Sequence, residues 1–360
     1  MSSLLERATT RARDLSVPLS VHFDLTWRCN ERCIHCYLDH DDLGELNTTE
    51  ILRTLDQIAD SGCLFLTFSG GEILLRKDLL EILEHARRKT FAVKLKTNGT
   101  LATARDAKRF RDLGITAIQI SIYSHRDEVH DAITKVRGSL QRSLRAIRLF
   151  RGNGLKVVIA CVLMRGNTGD YADVQALAES LEAEFTIDPT ITPHISGDRS
   201  VLGLRITSGD LASVLHDPRV NGGGEIAEIA AVDDAVLDGY SCSAGHSSCY
   251  VSPYGDVYPC VQFPLPCGNV RHQNFAEIWR HSAGFEEVRS VRVRDLSTCS
   301  SCGHAGSCSR CPGLAYMEGD FRGPSTADCE KSYLRTGVAS AHMMNMTALG
   351  SAAGLVQIRV

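Results

Sequence analysis

Three cysteines, Cys29, Cys33 and Cys36, lie close together with the spacing C-x3-C-x2-C. They directly follow an apolar stretch that reads as a β-strand, so one loop at a strand end carries all three thiols. Three thiolates can hold three irons of a four-iron cluster and leave the fourth iron open for an added ligand. A zinc site is the alternative, but zinc usually takes four ligands. His35 would crowd that tetrahedron, and the next cysteine is Cys63.

Strand-like and helix-like stretches alternate between about residue 19 and residue 193. The strand candidates are rich in Val, Ile, Leu, Phe and Thr, as strands buried on both faces are, and span residues 19–26, 63–69, 92–97, 117–124, 156–164 and 184–191. The helix candidates are a segment that Asn47 and Glu50 cap and residues 78–88, 103–113, 139–153 and 170–182. Repeated β-α units predict a parallel sheet, either barrel-like or doubly wound.

Small and polar residues stand at the ends of the next three predicted strands. Gly70, Gly71 and Glu72 end the second strand, Asn98 ends the third within a Thr-Asn-Gly segment, and Ser121 lies in the fourth. Glycines at a strand end let the backbone approach a ligand closely. Because the ends of parallel strands meet at one edge of a barrel-like sheet, these residues are expected near the cysteine loop.

The cysteine loop followed by Gly-Gly-Glu resembles the radical S-adenosylmethionine (SAM) enzymes. The resemblance implies an open partial (β/α)6 barrel, similar to a TIM barrel, with a [4Fe-4S] cluster on Cys29, Cys33 and Cys36 and with SAM as cofactor. It assigns SAM contacts to Gly70, Gly71, Glu72, Asn98 and Ser121. It also places an aromatic side chain near adenine, here His35, and a basic residue, Lys135 or Arg137, near the SAM carboxylate. His130 and Asp131 are expected at a solvated helix start.

A second group of cysteines comes later in the chain: Cys242, Cys249, Cys260, Cys299, Cys302, Cys308, Cys311 and Cys329. With Gly255 five residues before Cys260, this pattern resembles the SPASM extension of radical SAM enzymes. The resemblance implies one or two auxiliary [4Fe-4S] clusters. One would use Cys242, Cys249, Cys260 and Cys311. The other would use Cys299, Cys302, Cys308 and Cys329. Cys267 is an extra thiol or an alternative to Cys249, and two zinc sites are the other interpretation.

The composition limits the setting of the protein. Fourteen cysteines without an apolar signal segment favour metal or cluster ligation in a reducing cytoplasm over disulfides. The net charge of −4 gives no argument for nucleic acid or an anionic membrane. No run approaches the ~18 apolar residues of a membrane span. Cys63 and Cys161 fall within strands and are expected as small buried side chains.

The motifs divide the chain into an N-terminal extension (1–18), a radical SAM core (19–235), a SPASM domain (236–335) and a tail (336–360). Within the core, the Gly222-Gly-Gly224 segment predicts a turn.

The resemblance implies a SAM-cleaving oxidoreductase. Its expected substrate is a ribosomally made peptide or protein, which a separate carrier protein would present. Flavodoxin or ferredoxin is the expected electron donor. Val261 stands where sulfatase-maturing relatives carry aspartate, so that activity is not expected. The alternatives are a small cofactor precursor similar to a tetrapyrrole, metalloenzyme maturation, or a non-catalytic metal-binding protein.

Overall fold

The structure is a computed structural model that describes residues 4–40, 43–221, 229 and 231–344. It divides into two compact units. The first comprises Met1–Ile206 and Ser243–Val288, and the second comprises Thr207–Cys242 and Arg289–Val360. The predicted turn at residues 222–224 lies outside the described residues. The domain boundaries drawn from the motifs stay a prediction.

The first unit is built on one sheet. Its strands are β1 (Ser20–Thr26), β2 (Phe65–Gly70), β3 (Ala92–Thr97), β4 (Ala117–Ser121), β5 (Val157–Val162), β6 (Glu184–Asp188), β7 (Ser248–Val251), β8 (Asp256–Tyr258) and β9 (Gly268–Asn269). Their order is β6-β5-β4-β3-β2-β1-β7-β8-β9. Neighbours from β6 to β7 are parallel, and β8 and β9 continue antiparallel. The six predicted strands and their parallel arrangement are confirmed. The three short strands were not predicted.

Helices connect these strands and build the second unit. They are α1 (Leu4–Asp14), α2 (Thr48–Asp60), α3 (Leu79–Arg88), α4 (Ala104–Asp112), α5 (Asp127–Thr134), α6 (Ser139–Gly152), α7 (Tyr171–Ser180), α8 (Ser208–Leu215), α9 (Pro218–Asn221), α10 (Asp234–Leu237), α11 (Phe275–His281), α12 (Ala283–Ser290), α13 (Pro312–Met317) and α14 (Thr326–Thr336). None of the described helices is long and apolar enough to span a bilayer.

The start of α2, the helix that follows β1, is determined by its local sequence. Asn47 Oδ1 accepts a hydrogen bond from the Glu50 N–H at 3.0 Å, and the Glu50 carboxylate accepts one from the Asn47 N–H at 2.8 Å. This reciprocal cap satisfies N–H groups that have no partner inside the helix. Ile51, Leu55 and Ile58 are fully buried on the inner face of α2. The predicted cap is confirmed.

The strands β3, β4 and β5 bury one face, whereas the end of β1 is buried on both. In β3, Val93 and Leu95 are inaccessible beneath the helices, while Lys94 and Lys96 on the other face are only partly buried. The same alternation of exposure runs through β4 and β5. The expectation of strands buried on both faces is therefore wrong for β3, β4 and β5. The reason is that the inner face of this partial barrel lines an open cavity instead of a packed core.

Candidate functional site

A cavity of about 740 Å³ lies within the first unit, on the inner side of the sheet. Cys29, Cys33 and Cys36 line it, and so do Gly70, Gly71, Asn98 and Ser121. The cysteines follow β1, the two glycines lie at the end of β2, Asn98 follows β3, and Ser121 ends β4. The fold thus brings together the predicted SAM-contact residues of these strands except Glu72. The basic candidates Lys135 and Arg137 do not line this cavity either.

Hydrogen bonds hold the cysteine loop against the end of α5. The Arg32 N–H donates to the Thr134 carbonyl, and the Ile34 N–H donates to the Ile133 carbonyl, each at 3.0 Å. Within the loop, the Cys36 N–H donates to the Cys33 carbonyl at 3.0 Å. These bonds fix the loop on both sides of the second thiol, and the helices predicted from the sequence did not include α5, which provides the two carbonyls.

Gly70 and Gly71 are required by a close approach of two backbones. A Cβ atom on Gly70 would lie 2.0 Å from the Thr26 carbonyl oxygen, and Gly70 has a φ of +133°. A Cβ on Gly71 would lie 2.3 Å from the Arg28 carbonyl oxygen. The Gly71 N–H donates to the Thr26 carbonyl at 2.7 Å. The glycines therefore let the end of β2 pack against the chain entering the cysteine loop.

Glu72 is fully buried and does not line the cavity. One carboxylate oxygen accepts hydrogen bonds from the Leu74 N–H at 2.9 Å and the Thr97 hydroxyl at 2.6 Å. The other oxygen accepts from the Asn98 N–H at 2.8 Å. Burial raises the pKa of Glu72, and these donors oppose that effect. The geometry makes Glu72 a residue that joins the ends of β2 and β3.

Asn98 connects β3 to the cysteine loop. Its side-chain amide donates to Asn30 Oδ1 at 2.9 Å, and its own Oδ1 accepts from the Thr100 N–H at 2.9 Å. The same amide nitrogen lies 4.0 Å from Cys29 Sγ. Asn98 is thus fixed beside the first thiol while still lining the cavity.

The second unit contains another cavity, of about 290 Å³, which Cys299, Cys302, Cys308 and Cys329 line. Two of the sulfurs accept hydrogen bonds, Cys308 Sγ from the Ser332 hydroxyl at 3.4 Å and Cys302 Sγ from the Ala341 N–H at 3.5 Å. These are the four cysteines that the sequence analysis grouped together. The structure therefore places one complete predicted ligand set around one cavity.

Comparison with known proteins identifies the chain. The pattern of the radical SAM superfamily matches residues 25–178, and that of the SPASM iron–sulfur cluster-binding domain matches residues 242–303. The chain is a radical SAM enzyme with a SPASM domain. Members of this class cleave SAM and hold a [4Fe-4S] cluster, and the SPASM domain implies auxiliary iron–sulfur clusters.

Its similarities extend over most of the chain. The AdoMet-dependent heme synthase of Oleidesulfovibrio alaskensis is 29% identical over 323 residues, which cover 81% of each chain. Mycofactocin maturase MftC of Mycobacterium tuberculosis is 28% identical over 321 residues, 82% of this chain and 78% of its own. The crystal structure of Streptococcus suis SuiB bound to precursor peptide SuiA aligns with 89% of this chain and 78% of SuiB, at a TM-score of 0.70 and 18% identity. The SuiB likeness shows a shared fold.

The donor set of the cysteine loop fits the cluster of a radical SAM enzyme. Burial raises the pKa of the Cys29 thiol to about 12, and burial together with the Glu31 carboxylate raises the pKa of Cys33. Burial also raises the pKa of Glu31 to about 7. Thiols in such surroundings become thiolates only when a metal supplies positive charge. Glu31 Oε1 and His35 Nδ1 are buried beside these thiols and have no hydrogen-bond partner in the described chain. Such unsatisfied polar atoms are expected where a cluster or cofactor binds.

The described part of the chain contains no site shaped to hold a single metal ion. No three His, Cys, Asp or Glu side chains there converge on a position that could hold one ion.

Aromatic rings pack behind the cysteine loop of this radical SAM enzyme. The rings of His35 and Tyr123 meet edge to face with centroids 4.8 Å apart, and Tyr123 stacks on His130 at 5.4 Å. His130 is 1% exposed and accepts a hydrogen bond from the Tyr123 N–H at 3.2 Å. The expectation of a solvated His130 is wrong, because α5 turns this side chain inward against Tyr123. Asp131 accepts from the Leu140 N–H and caps the start of α6.

The sequence analysis missed the polar residues that line the inner face of the barrel. They are His22, Lys94, Lys96, Gln119, Glu184 and Asp188. A signal was present, because Lys94 and Lys96 alternate with Val93 and Leu95 in a strand that should otherwise be apolar. Polar residues at every second position mark a strand face that meets water or a ligand.

The remaining cysteines occupy different surroundings. Cys63 and Cys161 are both buried, as predicted, but only Cys161 lies in a strand, because β2 begins at Phe65. Cys242 and Cys311 belong to the second unit, whereas Cys249 and Cys260 belong to the first, and this ligand set stays a prediction. Cys267 is buried as well.

Proposed function

We propose that this radical SAM enzyme acts on a ribosomally made peptide or protein and forms a crosslink or an oxidised residue in it. The observation that carries the proposal is the polar inner face of the barrel. Lysine, glutamine, histidine and carboxylate side chains line the cavity, and such a wall offers donors and acceptors for peptide groups. The similarity to mycofactocin maturase MftC and the fold shared with SuiB, which was crystallised with a precursor peptide, support this choice.

Each part of the site has a role in this proposal. Cys29, Cys33 and Cys36 would hold the [4Fe-4S] cluster. When bound, cluster and SAM together supply a 5′-deoxyadenosyl radical, formed by one-electron cleavage of SAM. Asn98 and Ser121 line the cavity where they could bind SAM, and Glu72 holds Asn98 in place through the backbone.

The second unit would hold an auxiliary [4Fe-4S] cluster on Cys299, Cys302, Cys308 and Cys329, the cysteines of its cavity. Hydrogen bonds to two of these sulfurs would stabilise the reduced cluster. We propose that this cluster takes part in electron transfer, with flavodoxin or ferredoxin as the external donor.

A second candidate function is the modification of a tetrapyrrole-like cofactor precursor. The observation that favours it is the 29% identity to AdoMet-dependent heme synthase over most of both chains. Such precursors are flat carboxylic acids, and they would use the cavity's lysines but leave most of its other polar groups without partners.

The experiment that separates the two uses anaerobically reconstituted enzyme with SAM and dithionite. Short peptides encoded beside the gene and a tetrapyrrole carboxylic acid are supplied separately, and 5′-deoxyadenosine and substrate mass are followed by mass spectrometry. The expected result is peptide-dependent formation of 5′-deoxyadenosine with loss of hydrogen from the peptide. A variant without the three loop cysteines serves as control. Turnover of the tetrapyrrole with every peptide unchanged would refute the proposal in favour of the second candidate.

A further inference from the structure

Two lysines lie next to each other on the inner face of the barrel. Lys94 and Lys96 are two residues apart in β3, so both side chains stand on the same face. Both line the large cavity. Val93 and Leu95, which point the other way, are fully buried beneath the helices.

Neither lysine forms a direct ion pair within the part of the chain that the structure describes, although carboxylates lie near both. Among the described residues, Lys94 and Lys96 make no ion pair and no hydrogen bond through their ammonium groups. The carboxylates that face them have other partners. Glu184 pairs with Lys156 at 2.7 Å, and Asp188 accepts from the Thr190 N–H at 2.8 Å.

Asp24 is the third carboxylate near Lys96. It is inaccessible and accepts hydrogen bonds from the Tyr250 hydroxyl at 2.8 Å and the Trp27 indole N–H at 3.3 Å. His22 Nε2 lies 3.2 Å from its other oxygen. The Asp24 carboxylate is thus already bound by Tyr250, Trp27 and His22. It does not pair with Lys96, so within the described chain both ammonium groups remain unpaired inside the cavity.

The surroundings make two unpaired ammonium groups costly. Burial lowers the pKa of both lysines, and for Lys94 the charge of Lys96 adds to that effect. A negatively charged ligand between them would remove the repulsion and replace lost hydration. A carboxylate has the charge and the two acceptor oxygens that this pair can bind.

The depth of the pair separates it from the predicted SAM site. Asn98 lies beside the cysteine loop. With a rise of about 3.3 Å per residue, Lys96 lies about 7 Å and Lys94 about 13 Å further along β3, away from that loop. A substrate group that reaches this lysine pair must therefore extend into the barrel, away from the cysteine loop.

We propose that Lys94 and Lys96 form a subsite for a carboxylate of the substrate. This inference rests on the proposed function, since it names the part of the substrate that the cavity holds. The chemistry is shared by the carboxylate of a peptide and that of a tetrapyrrole. The pair is a specificity determinant: it favours acidic substrates and holds the acid at the end of the cavity distant from the cysteine loop.

The test measures binding by calorimetry to anaerobically reconstituted enzyme with SAM bound. The probes are the peptide from the turnover assay and coproporphyrin, each as the free acid and with its carboxylates capped as amides or esters. Free acid is expected to bind more tightly than the capped form. The double variant Lys94→Met/Lys96→Met should lose roughly tenfold or more of that affinity.

Controls separate recognition from damage to the fold. Lys108→Met, at an exposed lysine of α4, should behave as the wild type. The Kd for SAM should stay unchanged in the double variant, which also shows that the variant is folded. Lys96→Arg keeps the charge and should keep most of the preference for the acid.

Several outcomes would overturn the inference. Equal binding of free acid and capped forms of both probes to the wild type would do so. So would a double variant that loses SAM affinity while binding the acid normally, because the lysines would then serve SAM. Preference for the acid with coproporphyrin alone would keep the carboxylate subsite and reject the peptide function. A peptide that is modified but binds equally well when capped would keep that function and reject the subsite.

Discussion

The buried carboxylate of Glu72 gives a prediction that the structure allows to be worked out in numbers. Its two oxygens accept from the Leu74 N–H, the Thr97 hydroxyl and the Asn98 N–H. The change Glu72→Gln keeps the size of the side chain but replaces one oxygen with an NH2 group, which cannot accept. Whichever way the amide turns, one buried backbone N–H then faces a donor.

The expected loss follows from those contacts. A hydrogen bond to a charged acceptor contributes about 1.5–3 kcal/mol, and a buried donor left unpaired costs about 1–3 kcal/mol. Because these terms overlap, the free energy of unfolding should fall by about 3 kcal/mol. With a urea m-value of about 3 kcal/mol/M, the unfolding midpoint should drop by about 1 M.

The assay is anaerobic urea unfolding of cluster-loaded protein, followed by far-ultraviolet circular dichroism, together with the Kd for SAM. Glu81→Gln, at an exposed glutamate of α3, is the matched control and should change stability by less than about 0.5 kcal/mol. An unchanged midpoint in Glu72→Gln would refute the joining role. If SAM affinity fell while the midpoint held, Glu72 would instead be a direct SAM contact.

Three further predictions address the clusters and the pH dependence. Replacing the three loop cysteines with alanine should remove about four irons and all 5′-deoxyadenosine formation, as iron analysis and chromatography would show. Ser332→Ala removes the hydroxyl that donates to Cys308 Sγ, so redox titration followed by electron paramagnetic resonance should show a lower auxiliary-cluster potential, with exposed Ser301→Ala unchanged. Burial lowers the pKa of His130 from 6.5 to about 4, so the unfolded state binds the proton first as pH falls. Between about pH 7 and about pH 5 this residue should remove about 2 kcal/mol of stability, a loss that His130→Asn should lack when urea midpoints are compared.

The sequence was most informative where a pattern repeats. Six strands and their parallel order could be predicted, because each strand is a clear apolar run separated from the next by a helix. The resemblance to the SPASM extension grouped Cys299, Cys302, Cys308 and Cys329, and these four cysteines line one cavity. Their role as cluster ligands stays a prediction.

The sequence was least informative where long-range packing decides. The strand β7 has only four residues and pairs with a strand more than two hundred positions earlier, so no local signal marks it. His130 lies on an eight-residue helix with acidic neighbours, and only its contact with Tyr123 shows that it is buried. The buried position of Glu72 depends likewise on the neighbouring end of β3.

The pairing of β7 with β1 bears on how such enzymes can be recombined. Four residues at the start of the SPASM match, Ser248–Val251, hydrogen bond along β1 in parallel from Ser20 to Phe23. A chain cut after residue 235 would leave β1 as an open edge, and open edges recruit other chains. A chimaera that exchanges the extension at the motif boundary therefore also exchanges a strand of the catalytic sheet. Because the extension supplies a strand of the catalytic sheet, it cannot be exchanged without changing that sheet.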